Sequence, residues 1–236
     1  MDKGKLYLIP SLLGDVESDN SLPLAIVNHV KAINVFIVEN VRSARRFIKK
    51  IDRQKDIDTC TFYAYGKHDD VNLEKDFLPH ILKGEDVGII SEAGLPCIAD
   101  PGSVIVKYAH DFQIKVVPLV GPSSIFLALM ASGLNGQNFV FHAYLPIDKK
   151  ERERKIKQME NDSRKWNQTQ IFMETPYRNH QLFDAILKFS SNSAKLCIAT
   201  DITLSSETIK TMSVEQWKQT VFNIHKKPTI FLLQAK

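Results

Sequence analysis

Two carboxylates, Glu39 and Glu92, each stand in the loop that leaves a short apolar run, Val35–Val38 and Val87–Ile90 respectively. A carboxylate placed there can take a proton as a general base, and it can equally close a structural ion pair. Glu92 belongs to an unusual segment, Ser91-Glu92-Ala93-Gly94-Leu95-Pro96-Cys97-Ile98-Ala99-Asp100-Pro101-Gly102. Its end reads as a helix start, with Asp100 as N-cap and Pro101 as first helical residue. The residues before that form a long loop with two chain breakers, and long loops in compact domains tend to be functional. Three further segments have the composition of ligand loops. Pro10-Ser11-Leu12-Leu13-Gly14-Asp15 follows the run Leu6–Ile9. Val120-Gly121-Pro122-Ser123-Ser124 opens a helix, and its two hydroxyls either cap that helix or reach a polar ligand. Met173-Glu174-Thr175-Pro176-Tyr177-Arg178 offers Thr175 as a cap and Pro176 as first helical residue, while Glu174 and Arg178 either pair across the turn or face a substrate.

Several chemistries lose their motif. The first loop lacks the three spaced glycines of a dinucleotide site and the Gly-Lys-Ser/Thr of a phosphate loop. Cys60, Cys97 and Cys197 lie 37 and 100 residues apart, which fits neither a disulfide framework nor zinc-ligand spacing, so they read as reduced core residues and no metal site is expected.

Those loops need a folded scaffold, and the composition supplies one. With 236 residues, 44% of them hydrophobic and 25% charged, the chain can bury a core and does not have the composition of a disordered segment. Its apolar runs are of strand length, too short to cross a membrane, and the amino terminus lacks the apolar length and cleavage pattern of a signal peptide. A cytoplasmic protein is expected. The net charge is only +4, but it is unevenly spread. Arg42, Arg45, Arg46, Lys49 and Lys50 recur at helical spacing opposite Val41, Ala44, Ile48 and Ile51, and Lys149–Lys157 holds six cations against Glu151 and Glu153. Each stripe alone reads as a solvated face; the pair favours a polyanionic partner such as RNA.

Short apolar runs alternate with amphipathic ones. Strands are expected at Leu6–Ile9, Val35–Val38, Thr61–Tyr65, Val87–Ile90 and Lys115–Leu119, with helices at Pro23–Ala32, Arg42–Ile51, Val71–Leu82 and Ser103–Phe112. This alternation predicts crossover units and a largely parallel five-stranded sheet. Beyond a helix ending near Ala131, strands are expected at Phe139–Ala143, Gln170–Met173, Lys195–Thr200, Thr208–Met212 and Thr229–Leu233, with helices around Lys150–Glu160, Arg178–Phe189 and Val214–Val221. Thr208–Met212 returns antiparallel to a neighbour, making the second sheet mixed. The fold class is therefore two α/β domains, divided near Pro118–Gly121 into 1–118 and 119–236.

Ser91–Gly102, then Val116-Val117-Pro118-Leu119-Val120-Gly121-Pro122-Ser123-Ser124, then Ala131-Ser132-Gly133-Leu134 resemble, in that order, the blocks of the tetrapyrrole methylase superfamily of S-adenosylmethionine-dependent methyltransferases. Phe141–Pro146 and Phe172–Arg178 extend the likeness over nearly the whole chain. The closest group within it methylates a cytidine 2′-hydroxyl in the decoding region of 16S rRNA. The resemblance implies a homodimer of two-domain subunits, no metal, and S-adenosylmethionine folded into a cleft between domains. It places the donor at Pro10, Gly94, Leu95, Asp100, Ser103, Ser123 and Ser124, with Met173, Thr200 and Thr229 at strand ends of the second domain.

The sequence also departs from that group. Its usual Thr-Pro-Ile-Gly-Asn stands here as Pro10–Asp15, its Glu-Asp-Thr-Arg as Glu39-Asn40-Val41-Arg42, and its Ser-Asp-Ala-Gly-Thr-Pro as Ser91–Pro96. The additional carboxyl-terminal segment of many members is not present in this sequence. Under the resemblance Glu92 and Glu39 become the general-base candidates, and Arg42, Arg45, Arg46, Lys49, Glu174 and Arg178 the substrate-binding ones. Three functions compete: an RNA 2′-O-methyltransferase, a methyltransferase acting on a tetrapyrrole-like or other anionic small molecule, and a donor-binding module without transfer activity.

Overall fold

The computed structural model describes residues 2–15, 22–66 and 71–236. The contact pattern divides the chain into two units, Met1–Ser123 and Ser124–Lys236. The division falls after the loop that the sequence breaks at, because Gly121 in that loop packs against Pro10 of the first unit.

The first unit is a parallel five-stranded sheet. Strands β1 (Leu6–Ile9), β2 (Val35–Val38), β3 (Thr61–Ala64), β4 (Val87–Ile90) and β5 (Val116–Pro118) lie in the order β3-β2-β4-β1-β5. β2 and β4 are buried at every position, the burial expected of central parallel strands covered on both faces. One face packs on α1 (Leu24–Ala32) and α2 (Val41–Ile51) through Tyr7, Ile9, Phe36, Val38, Ile26 and Ile48. The other packs on α3 (Leu78–Leu82) and α4 (Ser103–Asp111) through Leu6, Ile37, Ile89, Ile81 and Ile105. α2 is amphipathic as its spacing predicts: Ala44 and Ile48 are buried, and Asn40 caps it by accepting the Ser43 N–H at 3.0 Å.

The single helix expected over 71–82 is instead a wide π turn, Leu73–Phe77, followed by α3. Pro79 has no N–H to give to the carbonyl four residues back, and the Leu78 N–H bonds the Leu73 carbonyl instead.

The second unit opens with α5 (Ser124–Ser132), which packs on β8, β9 and β10. Its sheet runs β6-β7-β10-β8-β9, made of β6 (Phe139–Tyr144), β7 (Thr169–Met173), β8 (Lys195–Thr200), β9 (Thr208–Ser213) and β10 (Thr229–Gln234). β6 and β7 are parallel and the remaining neighbours antiparallel, so the sheet is mixed, with β8 and β9 adjacent as expected. α6 (Lys149–Trp166), α7 (Asn179–Phe189) and α8 (Val214–Lys218) cover the opposite face around Phe172, Phe231, Ile186 and Trp217.

α6 runs past the expected Glu160 to Trp166. Asn161-Asp162-Ser163 reads locally as a turn, but Ser163 is buried and its hydroxyl donates to Gln168 O at 2.7 Å while accepting the Ala235 N–H at 2.9 Å. Asn167, at φ 47°, provides the left-handed stop.

Candidate active site

In the first sheet β1 and β4 are neighbours, yet the chain leaves them in opposite directions, from β1 through α1 to β2 and from β4 through α4 to β5. Their following loops therefore part at a topological switch point, the usual ligand crevice of an open parallel sheet. Hydrogen bonds tie these loops together. The Ser11 N–H donates to Gly94 O at 2.9 Å, joining the β1 and β4 loops. The Glu92 N–H donates to Glu39 Oε1 at 3.0 Å, joining the β4 and β2 loops. The β5 loop closes from the other side: a Cβ on Gly121 would stand 2.2 Å from Pro10 Cβ, so only glycine fits.

The long loop after β4 is knotted rather than extended. Gly94, Cys97 and Ala99 all hold left-handed backbones, at φ 72°, 68° and 65°. Two of these are non-glycine residues, which costs on the order of 1 kcal/mol or more each, and such strain concentrates at functional sites. Asp100 holds the knot, its carboxylate accepting the Cys97 N–H at 2.9 Å and the Gly102 N–H at 2.7 Å. This corrects the expected helix start: α4 begins at Ser103 behind Gly102, and Asp100 spends its oxygens inside the loop rather than on a helix end.

Three carboxylates, Glu39, Glu92 and Asp100, thus gather at the ends of β2 and β4. Burial raises Glu39 above the ordinary carboxylate range; the Glu92 N–H bond opposes this, and the neighbouring Asp100 and Glu92 charges add to it. Burial likewise raises Asp100, against its two backbone hydrogen bonds. Among the described residues, none of the ion pairs involves Glu39 or Asp100. Glu92 is exposed, and the Ser43 hydroxyl donates to its Oε2 at 3.3 Å. Burial, with the neighbouring Asp100 charge, pushes the Cys97 thiol up to about 11, away from the thiolate that a nucleophile needs. Tyr65, at the end of β3, has a buried hydroxyl without a hydrogen-bond partner among the described residues, and burial beside Asp100 and Glu39 raises it too. Neither Tyr65 nor Ser11, whose hydroxyl is also buried and unpartnered, stands out in the sequence; only burial distinguishes them.

A pocket of about 480 Å³ opens between the β1 loop, the β4 loop and α2. Its presence divides the basic stripe of α2. Arg46 and Lys50 line the pocket, Lys50 paired with Asp15 at 2.7 Å. Arg45 instead reaches Asp58 at 3.7 Å and lies over the Phe62 ring, and Lys49 donates to Arg53 O at 3.1 Å. Arg42 is exposed. The second stripe is not one solvated face either: Arg152 is buried against Gln181, and Lys157 pairs with Glu153 at 2.6 Å.

Of the donor positions expected in the first unit, Pro10, Gly94 and Ser123 are buried, Leu95 and Asp100 half-buried, and Ser103 exposed at the start of α4; Ser124 is the first residue of the second unit, where it opens α5. In the second unit Met173, Thr200 and Thr229 share one sheet end: Thr200 pairs with Thr229, and Met173 with the adjacent Ile230. Beside them Glu174 is buried, and Arg178 donates to its Oε1 from Nε at 3.0 Å and Nη2 at 2.6 Å. These two pair across the turn. Thr175 is not a helix cap, because α7 begins only at Asn179, after a turn closed by the Arg178 N–H on Thr175 O.

The half-buried carboxylates suit a cationic ligand. S-adenosylmethionine carries a sulfonium and an ammonium, either of which would relieve the cost of keeping Glu39 and Asp100 charged. When bound it supplies an activated methyl group. A parallel α/β unit with switch-point ligand loops, followed by a mixed α/β unit, is the architecture of one class of methyltransferase. Residues 6–217 match the family model described as Tetrapyrrole (Corrin/Porphyrin) Methylases, and the chain belongs to this family of S-adenosylmethionine-dependent methyltransferases.

Curated relatives include proteins named Ribosomal RNA small subunit methyltransferase I. That of Vibrio cholerae is 28% identical over 89% of this chain and 69% of its own length. The Bacillus subtilis protein is 30% identical over 78% of this chain and 59% of its own, and the Streptococcus pyogenes protein 32% over 74% and 57%. The chain thus spans between 57% and 69% of the length of these relatives. The crystal structure of the methyltransferase CobJ has the same fold, with a TM-score of 0.63 at 12% identity, covering 98% of this chain and 94% of that one.

Proposed function

We propose that this chain transfers a methyl group from S-adenosylmethionine to a ribose 2′-hydroxyl of small-subunit rRNA. The observation that carries the reading is the meeting of two things at one switch point: a pocket lined by Arg46 and Glu92, and the knotted loop whose half-buried carboxylate, Asp100, suits a cationic donor. The names of the relatives supply the RNA.

Transfer from a sulfonium is an in-line displacement, so alignment of hydroxyl, methyl and sulfur is the protein's main task and can supply roughly 7–11 kcal/mol. Pro10, Gly94, Leu95, Asp100, Ser103 and Ser123 of the first unit would hold the donor, with Ser124, Met173, Thr200 and Thr229 of the second. Glu92 lines the pocket, where it would take the hydroxyl proton as the O–C bond forms and the methyl–sulfur bond breaks, the sulfonium leaving as a neutral thioether; such base catalysis is worth roughly 10²–10⁴-fold. Glu39, the second base candidate, holds the Glu92 backbone and positions it. Arg42, Arg45 and Lys49 lie outside the pocket lining and serve as outer contacts to the RNA backbone. Glu174 and Arg178 keep their place as substrate candidates only as a bonded pair.

The family likeness supports a homodimer. No described helix is long and apolar enough to cross a membrane, and with rRNA as substrate the protein belongs in the cytoplasm. Mapping of ribose methylation across rRNA, with and without the protein, tests the reading. A map that does not change moves the assignment to the small-molecule methyltransferase.

A further inference from the structure

The pocket beneath α2 and the residues expected for the donor do not overlap, but they adjoin twice along the chain: Pro10 precedes pocket residue Ser11, and Gly94 follows pocket residue Ala93. At that seam the Ser11 N–H bonds Gly94 O at 2.9 Å. A group seated in the pocket therefore reaches the donor loops across a single hydrogen-bonded pair of strand-end residues.

Besides the Lys50–Asp15 pair and Glu92, the lining offers three features that bear on a ligand. Leu12, Leu13 and Phe47 present apolar surface. Ser11 is 3% exposed, and its hydroxyl is buried with no hydrogen-bond partner among the described residues, the state of a polar group that awaits a ligand. Arg46 is exposed, and none of the described ion pairs uses it, in contrast to Arg45 and Lys50 on the same helix. An apolar surface, a buried hydroxyl and a guanidinium match the three parts of a nucleotide: base, ribose and phosphate. The volume of about 480 Å³ lies within the usual range for small-ligand sites and would hold one nucleotide, not a stacked run.

We propose that this pocket seats the target nucleotide as a single unstacked residue, its phosphate on Arg46, its base against Phe47 and its ribose toward Ser11. The proposal rests on the RNA reading above and adds where the substrate enters. It agrees with the general way proteins read RNA, in which single-stranded bases are splayed out onto aromatic side chains and their phosphates are held by arginine. It also divides α2 by function. Arg46 positions the reacting nucleotide by its phosphate, whereas Arg42, Arg45 and Lys49 contribute only the diffuse attraction common to any polyanion.

The test is methyl transfer by the full chain to small ribosomal subunits prepared from cells lacking the protein, comparing wild type with Arg46→Gln, Phe47→Ala, Phe47→Tyr and Lys107→Gln. Lys107 pairs with Asp111 on α4, which covers the face of the sheet opposite α2, and serves as the control. Arg46→Gln is expected to raise KM for subunits about tenfold or more with kcat within about threefold, as loss of one charge-assisted contact implies. Phe47→Ala should raise it about 5- to 150-fold, the span of one lost stacking contact, and Phe47→Tyr should restore it. Binding of S-adenosylmethionine, followed by calorimetry, should be unchanged in all four. Wild-type KM in both Arg46→Gln and Phe47→Ala would overturn the pocket assignment and leave the RNA reading standing. A wild-type protein that binds S-adenosylmethionine yet methylates no subunit RNA would overturn both.

Discussion

Glu39 and Glu92 are bonded head to backbone: the Glu92 N–H donates to the Glu39 carboxylate at 3.0 Å, so the ends of β2 and β4 are held together by the two residues expected to be base candidates. The bond gives them different roles. Glu39 is half-buried with a raised pKa, while Glu92 points its carboxylate into solvent beside the pocket and Ser43.

Raised carboxyls make the ligand-free protein pH-sensitive in a defined direction. Between the ordinary carboxylate pKa and the raised values of Glu39 and Asp100, the folded chain holds protons that the unfolded chain has released. Their contribution to stability is complete below that interval and is lost as pH rises through it. Urea unfolding across about pH 4 to 7 should show this loss, and Glu39→Gln should make it shallower. An unchanged slope in the variant would contradict the burial of Glu39.

Donor binding should follow the same groups with the opposite trend. A permanent sulfonium cation is attracted to carboxylates and not to carboxylic acids, so affinity for S-adenosylmethionine should strengthen as pH rises through that interval. Asp100→Asn should weaken it about 10- to 100-fold, with NAD and ATP failing to bind measurably. Calorimetry checks both. Binding that ignores pH, or that does not prefer the sulfonium compound, would remove Asp100 from the donor site.

Among the glycines of the candidate site, Gly121 leaves the least room for a side chain. Gly121→Ala places a Cβ on Pro10 and forces the β1 and β5 loops apart, a change expected to cost about 1–3 kcal/mol of stability. It should weaken donor binding as well. Denaturant unfolding with a calorimetric titration reads both, and wild-type values in the two measurements would contradict the close approach of these loops.

Arg178 is matched to a buried charge. Arg178→Ala leaves Glu174, whose side chain is 1% exposed, without its guanidinium. Removing one partner of a fully buried pair costs about 3–5 kcal/mol. Arg178 is itself one-third exposed and water can replace part of the contact, so about 2 kcal/mol is expected. A loss below about 0.5 kcal/mol in urea unfolding would show the pair to be incidental.

The strands were the most legible part of the sequence. Val35–Val38, Val87–Ile90 and Lys195–Thr200 are apolar runs bounded by polar residues, and burial on both faces leaves their pattern no other solution. Helix ends were less legible because they depend on partners far along the chain: Ser163 continues α6 only because Ala235 meets its hydroxyl, and Asp100 fails to cap α4 because Cys97 turns its N–H back. The same applies within the site. Helical spacing puts Arg45 and Arg46 on one stripe, and only the arrival of Asp58 from the loop before β3 and of Phe62 on β3 draws Arg45 away from the pocket. Ser11 and Tyr65 carry no local signature at all, since an unpartnered hydroxyl is a property of its surroundings.

The proposed role of Glu92 in methyl transfer to a ribose of small-subunit rRNA is tested most directly by mapping ribose methylation across rRNA from cells that lack the protein, complemented with wild type or with Glu92→Gln. The account predicts one small-subunit 2′-O-methyl signal that wild type restores and Glu92→Gln restores about 10²-fold more slowly or not at all, while the purified variant binds S-adenosylmethionine as wild type does. A map identical with and without the protein would contradict the account.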